Sequence, residues 1–288
     1  MRWASLAPEA TLWIITAAGR RALVGRSHLC KEPPFVQKLP VCTRPNAHRE
    51  GWEIAMGPYA PDYGTISTLR PDGVAFLLEG NELPMPETEL FSLFHKAVGY
   101  TVSLLPIKAN DWTSYEKLVQ SIKETLGGGR RFERWFQAQL RRRDYLLAKV
   151  QSITHKPQVA WLQPTFPIAS IGKWTTLLGE WSGASIVFSE ERLLWERLLE
   201  ADPEVVIVSI PGGTLKEAGE ALSQWARLPQ VQALRAFRAK RLYAFSGIAG
   251  VFYPSPLLVA AAEGLYELLH TPTYRFNQHI GRLWAPLL

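Results

Sequence analysis

The chain has 288 residues and a net charge of +6, and its 47% hydrophobic and 20% charged residues are ordinary for a globular soluble protein. This length can bury one large core or two moderate ones, and it favours two. Two cysteines are too few for a disulfide framework, and the apolar run at 12–18 is too short to cross a bilayer.

The first 126 residues alternate predicted strands with predicted helices, which favours a parallel sheet covered by helices on both faces. Residues 44–62 are rich in Pro, Gly, His and Asn and are expected to form a loop. The predicted strands are 2–6, 22–26, 39–43, 73–78 and 101–105, and the predicted helices are 10–18, 63–69, 86–98 and 114–126.

Residues 127–156 are predicted to form a linking helix between two lobes. Three glycines end the preceding element, and no Pro or Gly occurs from Arg130 to Ile153, so one helix about 36 Å long is the simplest interpretation. Its basic residues outnumber its acidic ones seven to two, but no nucleic-acid motif accompanies them. The basic residues of this helix are therefore expected to form a solvated face, and no nucleic-acid partner is expected. Apolar residues recur at helical spacing along the helix: Phe132, Trp135 or Phe136, Leu140, Leu147 and Val150.

The alternating pattern restarts after the linking helix, with strands predicted at 158–162, 205–210 and 242–245. The predicted helices are 174–181, 193–201, 215–226 and 256–270. The predicted fold class is α/β, with two Rossmann-like lobes (1–126 and 157–270) joined by the linking helix and followed by a tail, 271–288, without a clear element. Ligands of open α/β sheets bind beyond the carboxyl ends of the strands, which predicts a site in a cleft between the lobes.

Residues able to carry chemistry are few. The chain has no G-x-G-x-x-G after its first strand, no phosphate-binding P-loop, no G-x-S-x-G and no H-E-x-x-H. His28 and Cys30 leave a predicted strand at its carboxyl end, and two residues apart on a strand they would share one face. Together they can ligate a soft or borderline metal, or the metal of a macrocycle. Local packing and hydrogen bonding of the loop is an equally weighted interpretation.

Four aromatic residues fall in or beside loops on the predicted cleft side. Each alone is typical of a core position, but together they favour an apolar binding surface. They are Trp112, Phe166, Trp174 and Tyr253.

Several segments resemble the class III, long-helix-linked substrate-binding proteins of ABC transporters, and within that family the cobalamin-binding branch. Residues 23–33, LVGRSHLCKEP, are similar to an LVGRSHECDYP segment of that branch, and residues 5–11, SLAPEAT, to its SLxPSxTE opening. Residues 69–72 and 201–206 resemble the ALxPDxV signature of each lobe. Leu29 and Lys31 replace the Glu and Asp of the SHECD motif, which leaves room for a different ligand.

The resemblance implies the helical-backbone periplasmic binding protein fold and non-enzymatic binding of a corrinoid, such as cobalamin, or a related tetrapyrrole, including haem, for uptake or intracellular handling. His28 and Cys30 become candidate axial metal ligands. Glu87 or Glu89 in the first lobe and Glu196 in the second become candidates for docking onto an ABC permease. The implied ligand-binding residues are Pro8, His28, Cys30, Arg44, Trp112, Phe166, Trp174 and Tyr253.

Two other functions remain open. A ferric-siderophore or haem binding protein of an ABC importer would use cations such as Arg44, Lys108 and Lys173 for an anionic chelate. An enzyme acting on a corrinoid precursor would draw on Asp111, Glu79 and His28, which show no catalytic spacing.

The start of the chain shows no signal peptide, so a cytoplasmic protein with two free thiols is expected. A periplasmic or extracellular location applies if the chain is a trimmed mature form. A single Cys30–Cys42 bridge is the alternative to free thiols, and a monomer is expected.

Overall fold

The computed structural model describes residues 1–45, 59–78, 85–165, 168–189, 192–270 and 278–287. The chain divides into two compact units. Unit 1 is Met1–Phe136 with Tyr253–Pro256, and unit 2 is Gln137–Phe252 with Leu257–Leu288. Both units contain part of the linking helix, and the domain boundaries at 126, 156 and 270 stay a prediction.

Unit 1 contains a four-stranded parallel sheet in the order β2-β1-β5-β6 and a small antiparallel pair, β3 and β4. Every side chain of β5 is buried, as expected for a strand covered on both faces. Its elements are β1 (Trp3–Ser5), α1 (Pro8–Ala18), β2 (Leu23–Gly25), β3 (Thr43–Arg44), β4 (Ala60–Pro61), α2 (Tyr63–Leu69), β5 (Gly73–Leu77), α3 (Glu87–Val98), β6 (Ser103–Ile107), α4 (Trp112–Leu126) and the start of α5 (Gly129–Val150).

The strand predicted at 101–105 lies two residues later, as β6, and includes Pro106. Proline cannot donate to a strand ladder, but β6 is an edge strand, where a missing donor is tolerated. In the centre of the sheet, Gly73 pairs with Trp3, and a Cβ there would lie 2.4 Å from the Trp3 ring. The glycine therefore makes room for the buried indole.

The linking helix forms as α5, but it ends at Val150, three residues before the predicted end at Ile153. Gly127 ends α4 with φ 69°, a left-handed conformation that favours glycine. The predicted apolar stripe is only partly right. Leu140, Leu147 and Val150 are half-buried, and the buried positions of α5 are Phe132, Gln139 and Leu146, seven residues apart. Arg142 Nη1 donates a hydrogen bond to the Gln139 side chain at 3.2 Å, which satisfies that buried amide.

Unit 2 contains a sheet in the order β12-β11-β10-β7-β8, with β9 beside β7 on the same side as β8. The strands β7, β9, β10 and β11 are parallel, while β8 and β12 are antiparallel edges. Its elements are the end of α5, β7 (Gln158–Gln163), β8 (Ala169–Ser170), α6 (Lys173–Ser182), β9 (Ser185–Ile186), α7 (Trp195–Ala201), β10 (Val205–Val208), α8 (Leu215–Trp225), α9 (Pro229–Gln232), α10 (Arg235–Arg238), β11 (Leu242–Phe245), α11 (Leu258–His270) and β12 (Trp284–Pro286).

The prediction that the tail lacks a defined element is wrong for β12, which pairs with β11 and buries Trp284. A three-residue strand that ends in proline carries too little periodicity to be recognised. The position of β12 depends on contacts with residues that are distant in the sequence. Glu267 of α11 accepts hydrogen bonds from the backbone N–H groups of Gln278 (3.0 Å) and His279 (3.1 Å).

A partly buried ionic cluster connects the same tail to two helices of unit 2. Arg142 Nε of α5 donates to Glu263 Oε1 of α11 at 3.0 Å, and His279 Nε2 lies 3.1 Å from Glu263 Oε2. Burial alone would raise the pKa of Glu263, but the hydrogen bonds from His279 and Arg142 outweigh it and lower the pKa. The cluster therefore holds an ionised carboxylate.

Within the described ranges, no helix is both long enough and apolar enough to cross a membrane.

Candidate functional site

The carboxyl edge of the unit 1 sheet brings together three of the loops predicted to bind ligand. Because β1, β2, β5 and β6 are parallel, their carboxyl ends lie at one edge. The loops that leave this edge are 6–7, 26–33 and 108–111, and α1 and α4 begin directly after the first and the last. Pro8, His28, Cys30 and Trp112 all lie on these loops or at the helix starts.

The loop that carries His28 and Cys30 is a turn. The Cys30 N–H donates to Ser27 O at 3.0 Å, and residues 28–29 form the turn between them. The Arg26 guanidinium donates through Nη1 to the carbonyls of Ser27 (3.0 Å), His28 (3.4 Å) and Cys30 (3.3 Å), which fixes the turn. Because alternation of side chains applies only to extended backbone, the expectation that His28 and Cys30 share one strand face is wrong.

His28 is half-buried and held in one orientation by Thr43 of β3. The backbone N–H of His28 donates to Thr43 Oγ1 at 2.9 Å, and the ring Nδ1 lies 2.8 Å from the same oxygen. Thr43 Oγ1 lies 3.1 Å from Ser27 Oγ, and when Thr43 donates its single hydroxyl proton to Ser27 it accepts from Nδ1–H, which defines the Nδ1-protonated tautomer of the ring. The other nitrogen, Nε2, then has a free lone pair.

The ring of His28 is also kept neutral. Burial, and then the positive charge of Arg26, lower its pKa. Nε2 has no hydrogen-bond partner among the described residues. A neutral imidazole whose Nδ1–H is already engaged is the form in which histidine binds a metal through Nε2.

Cys30 differs from His28 in its environment. Its side chain is buried, and its Sγ is 3.0 Å from Thr11 Oγ1 of α1. Burial raises the pKa of the Cys30 thiol to about 12, so it is protonated at neutral pH, whereas metals bind the thiolate. Cys42 is also a free, buried thiol, in agreement with the expectation of two free cysteines. No group of three or more His, Cys, Asp or Glu suited to a metal occurs in the part of the chain that the structure describes.

Tyr115 of α4 contacts Trp112 and also bonds the segment 253–256 that contains Tyr253, within unit 1. Trp112 is half-buried and stacks on the Tyr115 ring with centroids 5.2 Å apart. The Tyr115 hydroxyl donates to Ser255 O at 2.9 Å, and Trp13 Nε1 of α1 donates to Pro254 O at 3.0 Å. These two bonds hold residues 253–256 against α1 and α4. Sequence reasoning missed both anchors, because they join residues 140 and 241 positions apart.

Glu9, in the first turn of α1, is another residue that sequence reasoning missed. Its side chain is fully buried, and apart from the backbone N–H of Glu9 itself neither carboxyl oxygen has a hydrogen-bond partner among the described residues. Burial raises the pKa of Glu9 to about 8, so the carboxyl is neutral at pH 7. A glutamate in a first helical turn ordinarily indicates a solvated side chain that favours the helix dipole, so no local signal separates this one.

The remaining predicted ligand-binding residues lie on different elements and differ in burial. Pro8 is buried at the start of α1, and Arg44 is exposed on β3. Trp174 is buried in α6 of unit 2, and Phe166 lies outside the described residues. Of these, Arg44 is the one whose side chain is exposed.

The residues proposed for permease docking or catalysis have the following positions. Glu87 and Glu196 are exposed in the first turns of α3 and α7. Asp111 caps α4, accepting from the Ser114 backbone N–H at 2.7 Å, so its carboxylate has a structural role. Glu79 lies outside the described residues.

Comparison with known proteins identifies the fold. The crystal structure of a periplasmic heme binding protein from Pseudomonas aeruginosa matches with a TM-score of 0.74 and 20% identity, over 100% of this chain and 98% of that chain. The periplasmic vitamin B12 binding protein BtuF of Vibrio cholerae matches with a TM-score of 0.65 and 17% identity, over 93% and 95%. The periplasmic heme binding protein HutB of Vibrio cholerae matches with a TM-score of 0.65 and 18% identity, over 94% and 99%.

No protein-family model matches the chain, and no curated protein matches its sequence. Identities of 17–20% establish the fold alone. The predicted fold class is confirmed: the chain is an α/β protein with the helical-backbone periplasmic binding protein fold.

Proposed function

We propose that the chain is a non-enzymatic binding protein for a metal-centred tetrapyrrole, with a corrinoid as the first candidate ligand and haem as the second. The observation that carries the proposal is the placement of His28 on the carboxyl edge of the unit 1 sheet, where Thr43 contacts Nδ1 of a ring with a lowered pKa and Nε2 has no partner among the described residues. Cobalt and iron both accept an imidazole as an axial ligand. The resemblance of residues 23–33 to the cobalamin-binding branch favours the corrinoid.

Haem is retained because two of the three compared structures are of heme binding proteins. His28 suits haem iron as well as cobalt, so the axial ligand alone does not select between the two. In both cases Cys30 is expected to act in packing, because its thiol is buried and protonated. Trp112 and Tyr253 are proposed to contact the flat ligand, since both are half-buried; Trp112 stacks on Tyr115 of α4, and Tyr115 bonds Ser255, two residues after Tyr253.

The proposed setting is delivery to an ABC permease from the periplasm, the compartment named for the three compared proteins. Glu87 and Glu196 are the proposed docking residues, because each is exposed at the start of its helix. The cytoplasmic expectation is the weaker alternative.

The test is titration of the purified protein with hydroxocobalamin, cyanocobalamin and haemin, followed by visible absorption and calorimetry. We expect hydroxocobalamin to show a spectral change as an imidazole enters the cobalt coordination sphere. His28→Ala should abolish this change, whereas Cys30→Ala should preserve it. His155→Ala is the control, because His155 is 70% exposed and pairs with Glu204 in unit 2. Absence of heat and of any spectral change with all three compounds would refute the proposal.

A further inference from the structure

Thr43 is a buried polar residue of β3 whose hydroxyl contacts His28 at two atoms. The backbone N–H of His28 donates to Thr43 Oγ1 at 2.9 Å, and the ring Nδ1 lies 2.8 Å from the same oxygen. Ser27 Oγ is a third neighbour of this oxygen, at 3.1 Å. Because Nδ1 lies against a buried hydroxyl, Nε2 is the ring nitrogen that remains for a metal.

The backbone on either side fixes the position of Thr43. The Cys42 N–H donates to Arg26 O at 2.7 Å, and the Asp62 N–H donates to Cys42 O at 2.8 Å. Arg26 directly follows β2, and Asp62 directly follows β4. The Thr43 hydroxyl is therefore held at a fixed place beside the turn that carries His28, as a residue that supports a binding group must be.

The hydrogen bonds of the Thr43 hydroxyl depend on the tautomer of the His28 ring. A hydroxyl has one proton and two lone pairs. The His28 N–H uses one lone pair, so the proton and the other lone pair are divided between Ser27 Oγ and Nδ1. When the proton goes to Ser27, Nδ1 carries the ring proton and Nε2 has the lone pair that a metal requires. Ser27 Oγ already acts as an acceptor, since the Leu29 N–H donates to it at 3.3 Å.

We propose that Thr43 is a positioning residue for the metal-binding nitrogen of His28, an inference that rests on the proposed function. Its hydroxyl accepts the Nδ1 proton, holds the imidazole in place and keeps Nε2 unprotonated for the metal of the bound tetrapyrrole. Thr43 does not touch the metal and acts through His28. Loss of such a partner of a histidine ligand ordinarily weakens metal binding about 10–100-fold.

The experiment compares the wild type with Thr43→Val and Thr43→Ser. Valine has nearly the shape of threonine without the hydroxyl, whereas serine keeps the hydroxyl. Thr43→Val should weaken the coordination of hydroxocobalamin, followed in the visible spectrum, about tenfold or more, and Thr43→Ser should stay within about threefold of the wild type. Thr68→Val is the matched control and should change nothing, because Thr68 is exposed on α2, where its hydroxyl donates to Gly64 O at 2.9 Å.

A second readout needs no bound ligand. Nitrogen-15 NMR of the ligand-free protein with a neutral ring reports which nitrogen of His28 carries the proton, and the signals of His28 are identified by their absence in His28→Ala. The wild type and Thr43→Ser should show the Nδ1–H form. Thr43→Val should show a mixture that includes the Nε2–H form, a change that loss of packing alone would not produce.

Three results would overturn the inference while the proposed function stands. They are a wild-type ring that is protonated on Nε2, undiminished coordination of hydroxocobalamin by Thr43→Val, and equal weakening in Thr43→Val and Thr43→Ser. A wild-type protein that shows the Nδ1–H form but does not coordinate hydroxocobalamin or haemin would instead overturn the proposed function, and with it the role of Thr43.

Discussion

The burial of Glu9 predicts an unusual dependence of stability on pH. In the folded chain burial raises the pKa of Glu9 from 4.5 to about 8, whereas in the unfolded chain the side chain is hydrated and keeps its ordinary value. Between these two pH values the folded state holds a proton that the unfolded state has released. Stability therefore falls as pH rises through this window, and Glu9→Gln should remove that loss.

The size of the effect follows from the linkage between proton binding and folding. One unit of pKa shift corresponds to about 1.4 kcal/mol. Integration from pH 4.5 predicts that the wild type loses about 3 kcal/mol relative to Glu9→Gln by pH 7 and about 4 kcal/mol by pH 8. Compared with the 5–15 kcal/mol that typically holds a domain folded, this loss is large enough to measure.

The assay is urea unfolding of both proteins at intervals from pH 4.5 to pH 8.5, followed by circular dichroism. The quantity of interest is the difference between the two free energies of unfolding, because other titrating groups cancel in it. Glu116→Gln is the matched control, and its difference from the wild type should stay constant, since an exposed carboxyl keeps its hydration on folding. Parallel curves for wild type and Glu9→Gln across the whole range would refute the assignment of a buried, protonated Glu9.

Three further predictions concern stability and reactivity. Tyr115→Phe removes the hydroxyl that donates to a buried carbonyl of residues 253–256 and should cost about 1–3 kcal/mol in denaturant unfolding, whereas Tyr145→Phe, at a 65% exposed position, should be neutral; equal effects would contradict the anchor. Glu263→Ala breaks the cluster between α5, α11 and the tail and should cost about 2–4 kcal/mol, against less than about 1 kcal/mol for Glu220→Ala, which removes an exposed pair with Lys216 of the same helix at 3.8 Å; similar melting curves would count against a structural role for the cluster. Both cysteines should react with a thiol reagent only after denaturation, because burial raises their pKa to about 12, and rapid labelling of the native protein would disprove this.

The position of the SHLC segment on the sheet was predictable, but its local geometry was not. The SHLC segment lies on the carboxyl edge of the unit 1 sheet, as the order of strands and helices indicated. The sequence did not predict that His28 is half-buried while the Cys30 thiol is buried and protonated, because a turn held by Arg26 replaces the expected strand. Whether the remaining predicted residues touch a ligand stays a prediction.

Local signals in the sequence were sufficient to identify most elements of the chain. The capping box at Asp111, the left-handed Gly127 and the proline-free run of α5 act within a few residues, so the sequence alone located those two helices to within three residues at their ends. The alternation of strands and helices determined the α/β class in the same way.

Only the tertiary structure decided which side chains are buried together. The pairing of β12 with β11, the isolation of the Glu9 carboxyl and the bond from Tyr115 to Ser255 all depend on residues far apart in the chain. The physical reason is that solvent exclusion and hydrogen-bond satisfaction are set by neighbours in space, and no periodicity or spacing along the chain records them.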